Sequence, residues 1–186
     1  EEYAEKFETP MIYVGGESAG KIKTKDQMKH SAICNQFYVY SGAENMVNMM
    51  KYICSQVLHE EMDYQEPIFI PWEGIFHPDS KEIFQSTKDY FAWKEPSGKG
   101  TIALLVSRTA WLSGDIEVER ALIKHIEKNG YTALPIFSYA MADIDLGAKG
   151  TAYAIETFCF DGYGQPIVDG VIRMTGFFLQ DTDEYA

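Results

Sequence analysis

Two short apolar runs joined by one amphipathic helix constrain this chain more than any other feature. Thr101–Val106 (TIALLV) and Thr132–Phe137 (TALPIF) are continuous rather than alternating, the pattern of strands covered on both faces. Between them the spacing predicts a helix over Asp115–Lys128, with Val118, Ala121, Leu122, His125 and Ile126 on one stripe. Asp115, Glu117 and Glu119 lie near its start and Lys124, His125 and Lys128 near its end, an order that complements the helix dipole. Ser113 or Asp115 is expected at the N-cap, and Gly130 in the left-handed position past the C-terminus. Such a unit makes two parallel strands with a right-handed crossover. Ligands of parallel sheets bind beyond the carboxyl ends of the strands, which singles out the segment Ser107–Asp115.

The flanking chain extends this pattern. Gln36–Tyr40 (QFYVY) has the aromatic and β-branched content of a strand. Ser41 and Glu44 have the spacing of a capping box, and Met46, Met49, Met50, Ile53 and Val57 recur at helical intervals. A second strand–turn–helix unit is therefore expected there. Pro67, Pro71 and Pro78 break up Glu66–Asp79, although Trp72, Ile75, Phe76 and His77 make it too apolar for a loose linker. Asp79 with Glu82 can cap a helix over Ser80–Trp93, and Thr151–Phe160 reads as a further helix. Val168–Met174 reads as a last strand, and Met11–Val14 as a short strand ended by Gly15 and Gly16. The expected fold class is α/β: a mainly parallel sheet with flanking helices, in a Rossmann-like or flavodoxin-like three-layer arrangement. Residues 1–34 stand apart as an unassigned N-terminal segment, 35–180 form the α/β domain, and 181–186 a tail.

Composition narrows the partners. The formal net charge of −12 argues against nucleic acid or an anionic membrane, since either needs a basic surface. Cys34, Cys54 and Cys159 have neither metal nor redox spacing, which suits a reducing cytoplasm. No stretch is long and apolar enough to span a bilayer.

Few residues offer chemistry. Ser107–Asp115 has a single glycine and matches neither a Walker loop nor GxGxxG, so it is no phosphate cradle, and a flavin-binding reading lacks its phosphate loop. Arg108 either grips a ligand carboxylate with its planar fork or pairs with Asp115 or another local acid and shapes the loop. Trp111 either stacks on a flat ligand or plugs the space above the sheet. His77 and Asp79 are two candidate metal ligands, which do not make a site; the alternative is a structural histidine bonded to the backbone. His59 lacks the second histidine of a zincin motif, and no nucleophile–base pattern is present. The catalytic group is unassigned, and no resident metal site or cofactor is expected.

Three stretches, in order, carry a family resemblance: Tyr40–Ile53 (YSGAENMVNMMKYI), Pro71–Asp79 (PWEGIFHPD) and Ala103–Leu122 (ALLVSRTAWLSGDIEVERAL). Together they resemble the large subunit of cobaltochelatase (CobN) and the magnesium chelatase H subunit, and Val168–Phe177 (VDGVIRMTGF) is similar to the strand that follows in that family. The resemblance runs from about Asn35 to Phe178. The family loop tends to read Tyr-Arg-Ser-His-x-x-x-Gly-Asn. Here Ser107, Arg108, Thr109, Ala110, Gly114 and Asp115 occupy it, so alanine stands for the histidine and an acid for the asparagine.

The resemblance implies an internal piece of a larger subunit that binds a tetrapyrrole and inserts a divalent metal, cobalt or magnesium. It also implies partner subunits of the AAA+ ATPase type that use ATP, a division of labour with which the lack of an ATP motif in this chain agrees. On that reading Arg108 neutralises a ligand carboxylate, Trp111 packs on the macrocycle, His77 and Glu44 line or support the cleft, and the fragment alone is inactive. A different reading is a non-catalytic module whose acidic surface and Pro71–Asp79 loop dock partner subunits, favoured by the alanine at position 110.

Overall fold

The structure, a computed structural model, describes residues 10–15 and 21–175. These divide into two compact units that meet in sequence at Ile70–Pro71, and not at the 34–35 boundary expected from sequence.

The first unit is helical. Helix α1 spans Lys25–Tyr40 and α2 spans Ala43–Gln56. Thr24 opens α1 with a full capping box, its hydroxyl accepting from the Gln27 backbone N–H. The expected strand Gln36–Tyr40 is the last turn of this helix. Its β-prone composition is overridden because Ser31, Cys34 and Phe37, three residues apart, form the buried face, while Tyr38 is exposed. Cys34, Phe37 and Tyr52 form the small core of this unit. Ser41, at φ 62°, ends α1, and the N-cap of α2 is Gly42, with no side-chain cap. The capping box expected from Ser41 and Glu44 does not form. The face α2 buries is also not the methionine stripe: Asn45, Asn48 and Tyr52 point inward and Met50 is exposed. Asn45 and Asn48 serve instead as brackets for the extended segment that follows. Asn45 bonds both the N–H and the C=O of Ile68, and Asn48 accepts from the N–H of Gln65. Met11–Val14 is not a strand; Tyr13 N–H donates to Ser31 Oγ of α1 and Gly15 N–H to Asn35 Oδ1.

Among the described residues the second unit holds one mixed sheet of four strands, mostly parallel, with flanking helices. Its elements are β1 (Gly74–Ile75), α3 (Thr87–Trp93), β2 (Thr101–Ser107), α4 (Arg108–Ser113), α5 (Glu117–Lys128), β3 (Thr132–Ser138), α6 (Gly150–Cys159) and β4 (Gly170–Arg173). The sheet order is β1-β3-β2-β4. β2 pairs in parallel with β3, from Thr101↔Thr132 to Ser107↔Ser138, and with β4; β1 runs antiparallel to β3. The expected pair of parallel strands is therefore present at the centre.

Alternation of side chains along β2 and β3 builds a layer on each face. Ala103, Leu105, Leu134 and Ile136 meet Tyr90 of α3 and Ala154, Phe158 and Cys159 of α6. Leu104, Val106, Ala133 and Phe137 meet Ile116, Ile123 and the half-buried Trp111, Leu122 and Ile126 of α4 and α5. Burying each such large aliphatic side chain contributes about 1.5–3 kcal/mol, which is why the continuous apolar runs became the two central strands. The stripe expected on α5 is rotated: Val118 is exposed, as are Ala121 and His125, while Ile123 is fully buried.

Pro135 sits in an interior strand, where proline is rare. Its carbonyl accepts from Phe76, so its nitrogen faces the same side, where β1 ends, and the missing N–H costs the ladder to β2 nothing. Ser80–Gln85 is not helical as expected, because Phe84 and Ile75 exchange both backbone bonds and hold that segment extended. Helix α3 starts only after Ser86, whose Oγ accepts from Asp89 N–H.

Candidate functional site

The carboxyl ends of β2 and β3 lie side by side, at Ser107 and Ser138. Three segments converge there: α4 directly after β2, the loop from Tyr139 into α6, and the entry Pro71–Glu73 into β1. The segment expected to be a loop after β2 is a short helix, closed by Gly114 in the left-handed region. Ser113 folds back on Ala110 O, and α5 begins at Ile116 with no side-chain cap, so neither Ser113 nor Asp115 is the N-cap. Gly130 does adopt the expected left-handed φ of 82°.

Arg108 is carried inward by this geometry and is only 4% exposed. Its Nε donates to Pro71 O at 2.9 Å, and its guanidinium lies 4.2 Å from the centre of the Trp72 ring. Burial pulls its pKa down to about 10, opposed by the charges of Glu73 and Tyr139. Arg108 therefore remains a cation at neutral pH, buried beneath the face rather than displayed on it. Among the described acids, the one whose charge acts on Arg108 is Glu73 and not the Asp115 considered from sequence.

Glu73 is the residue that sequence reasoning passed over. It is 8% exposed, and its Oε1 accepts from the backbone N–H groups of Lys149 and Gly150, at 2.8 and 2.7 Å. A carboxylate from before β1 thus caps α6, 76 and 77 residues further along. The fit is tight: Gly150 has φ 83°, and a Cβ there would lie 2.7 Å from the Met141–Ala142 backbone. The signal available in sequence was an acid between Trp72 and Gly74 in a segment too apolar for a linker.

Trp111 stacks on Phe137, with centroids 3.9 Å apart and rings 6° from parallel. One face of the indole is thereby committed to the core, as the plugging reading requires, while the residue stays half-buried. Ala110 packs against the same cluster.

His77 lies elsewhere. β1 runs antiparallel to β3, so four extended residues carry the chain from Glu73 roughly 13 Å toward the amino end of the sheet. There Asp79 N–H donates to His77 Nδ1, which must therefore be unprotonated, and Nε2 donates to Glu127 Oε1 at 2.9 Å. Lys94 Nζ pairs with the same carboxylate. His77 is a structural histidine bonded to the backbone, though to an N–H rather than a carbonyl. Asp79 does not join it in a metal site, and the described residues contain no cluster of three or more metal-ligating side chains. Glu44 belongs to the first unit, where it is exposed on α2 beside Val47, Lys51 and Tyr64. Of the three candidate residues in the second unit, Arg108 and Trp111 lie at its carboxyl-end face and His77 does not.

That face is completed by the β3–α6 loop. Asp143 and Ala148 exchange backbone bonds, and Asp143 Oδ1 accepts from Leu146 N–H, which ties residues 143–148 into a small hairpin. Ile144 at its tip is 97% exposed and Met141 beside it 62%. On the first turn of α6, Lys149 Nζ donates to Tyr153 Oη at 3.1 Å.

Residues 35–186 match the CobN/Magnesium Chelatase family model, which covers most of the chain. The chain belongs to this family. It is 27% identical over 162 residues to the magnesium-chelatase H subunit of Chlorobaculum parvum, covering 84% of this chain and 12% of that protein. It is 27% identical over 158 residues to an uncharacterized protein of Methanocaldococcus jannaschii, covering 83% of this chain and 12% of that one. It is 24% identical over 159 residues to the chloroplastic magnesium-chelatase subunit ChlH of Oryza sativa, covering 77% of this chain and 11% of that protein. Its fold is similar to part of the catalytic subunit of cobaltochelatase from Mycobacterium tuberculosis, with a TM-score of 0.51 and 18% identity over 78% of this chain and 10% of that one. The chain thus spans about a tenth of the length of these relatives. The family match begins inside the helical unit and continues to the end of the chain, where residues 176–186, including the expected tail, lie outside the described residues.

Proposed function

We propose that this chain is part of the large subunit of an ATP-dependent metal chelatase, and that it contributes one wall of the site where a tetrapyrrole receives cobalt or magnesium. The observation that carries this reading is the family match over residues 35–186. The chemistry of the carboxyl-end face supports it: a half-buried indole, an exposed apolar hairpin tip and an exposed lysine suit a flat, apolar ligand with carboxylate edges. Trp111 lies against the macrocycle. Arg108 works from beneath, holding Pro71 and Trp72 in place with Glu73 rather than touching the ligand. His77 supports the far end of the sheet. Glu44 is a candidate ligand contact only from the helical unit. ATP is hydrolysed by partner subunits of the AAA+ type, the divalent metal is substrate, and the assembly works in the cytoplasm. Among the described residues no helix is long and apolar enough to cross a membrane.

A titration of the purified chain with a free-base tetrapyrrole, followed by tryptophan fluorescence, tests this. Trp72 and Trp111 sit at the face, whereas Trp93 packs on His77 at the other end. Saturable quenching at micromolar ligand that survives Trp93→Phe and is lost in Trp111→Phe is the expected result. Absence of saturable quenching refutes a direct role in binding. It then favours the second reading, a docking module for partner subunits, to which the Ile144 hairpin tip and the alanine at position 110 also point; a pull-down with the partner ATPases tests that reading.

A further inference from the structure

Metal insertion displaces two pyrrole N–H protons, so the site needs a group to take them. Neither Arg108 nor Ala110 can serve. On the reading proposed above, we infer that Tyr153, held by Lys149, is the proton acceptor at this face.

The two residues are one helical turn apart at the start of α6, directly after the exposed hairpin. Lys149 Nζ donates to the phenolic oxygen at 3.1 Å and lies 4.2 Å from the centre of the same ring. A tyrosine oxygen served by a donor is prepared for its ionised form. The direction of its pKa agrees: the Lys149 bond lowers it most, the nearby Thr157 hydroxyl and the lysine charge act the same way, and slight burial and the charge of Glu73 oppose them. Tyr52 and Tyr90 are instead moved upward by burial, away from use as bases. Glu73 has a second part here. By binding the N–H groups of Lys149 and Gly150, it fixes the backbone from which the lysine reaches its partner.

The step balances. As the divalent ion enters, one pyrrole N–H bond breaks and its electron pair stays on nitrogen to form the nitrogen–metal bond. The proton goes to the Tyr153 phenolate, which becomes phenol and then returns it to solvent water. The second N–H proton leaves by the same route, so two protons are released for each divalent ion bound.

The test uses the full-length protein with its ATP-hydrolysing partners, a free-base tetrapyrrole, and cobalt or magnesium. Tyr153→Phe is expected to lower kcat by about 100-fold or more with little change in KM for the macrocycle. Lys149→Met is expected to move the rising limb of the rate–pH profile to higher pH. With fluorotyrosine placed at position 153, the fluorine resonance should titrate at higher pH in the Lys149→Met background. Wild-type insertion with an unchanged kcat for Tyr153→Phe overturns the proton-acceptor role and leaves the chelatase reading standing. An unmoved fluorine titration removes Lys149 as the tuning group. No insertion by the wild type with either metal overturns the chelatase reading and this role with it.

Discussion

Replacing Glu73 tests the architecture of the site most directly. One carboxylate oxygen accepts two buried N–H groups at 2.8 and 2.7 Å, and the same charge acts on the buried Arg108 cation. Glu73→Ala leaves both N–H groups without their acceptor, at ~1–3 kcal/mol for a buried donor. It also takes from beside the buried Arg108 cation a carboxylate charge that favours its charged form. These costs share one side chain and are not additive, so a loss of about 3–5 kcal/mol is expected. With a urea m-value of ~2 kcal/mol/M, the midpoint should fall by roughly 1.5–2.5 M. Glu73→Gln keeps an oxygen acceptor and gives up the charge, and should cost about 1–2 kcal/mol. Urea denaturation of the wild type and the two variants, followed by circular dichroism, measures all of this. A midpoint shift under ~0.5 M for Glu73→Ala, or equal losses for the Ala and Gln variants, refutes the assignment of Glu73 as helix cap and counter-charge.

Three further outcomes are expected. His77→Ala should lower stability by ~1–3 kcal/mol by leaving Glu127 with Lys94 alone and the Asp79 N–H without its acceptor, yet leave tetrapyrrole quenching unchanged; a selective loss of quenching would place His77 in the ligand site after all. Gly150→Ala should destabilise by ~1–3 kcal/mol, because the residue has φ 83° and its Cβ would meet backbone at 2.7 Å; a neutral effect in thermal melts would contradict the tight junction. Burial pushes the thiols of Cys34 and Cys159 up to about 11, whereas the unfolded thiols ionise near 9. The native state therefore holds protons that the unfolded state has lost, and stability should fall as pH rises from 9 to 11. Cys159→Ala should flatten that fall, and an unchanged slope in urea midpoints against pH would refute it.

The strand–helix–strand centre was legible because local and global forces agree there. Continuous apolar runs can only be satisfied between two layers, and the charges on α5 match its dipole. Where sequence misled, a local preference was outweighed by burial. QFYVY looks like a strand, but Phe37 shares a buried helical face with Ser31 and Cys34, and that contact decided its conformation. The turn at α5 was readable and its face was not: Val118 and Ile123 both fit a helical stripe, and only the sheet beneath selects Ile123. Ser80–Gln85 carried capping residues, yet Phe84 found a backbone partner in Ile75.

Fold class, the central parallel pair and the family could be read before any coordinates, since each depends on patterns confined to short windows of chain. Which charges serve the site depended on long-range packing. The same Arg108 is a surface anchor or a buried strut according to whether Pro71 and Trp72 close over it. His77 is a neighbour of Arg108 or of Glu127 according to the direction in which a two-residue strand runs. Glu73 and Lys149 lie 76 residues apart and meet at 2.8 Å. No window of sequence contains that bond, because the register of β1 on β3 sets it, and side-chain burial sets the register.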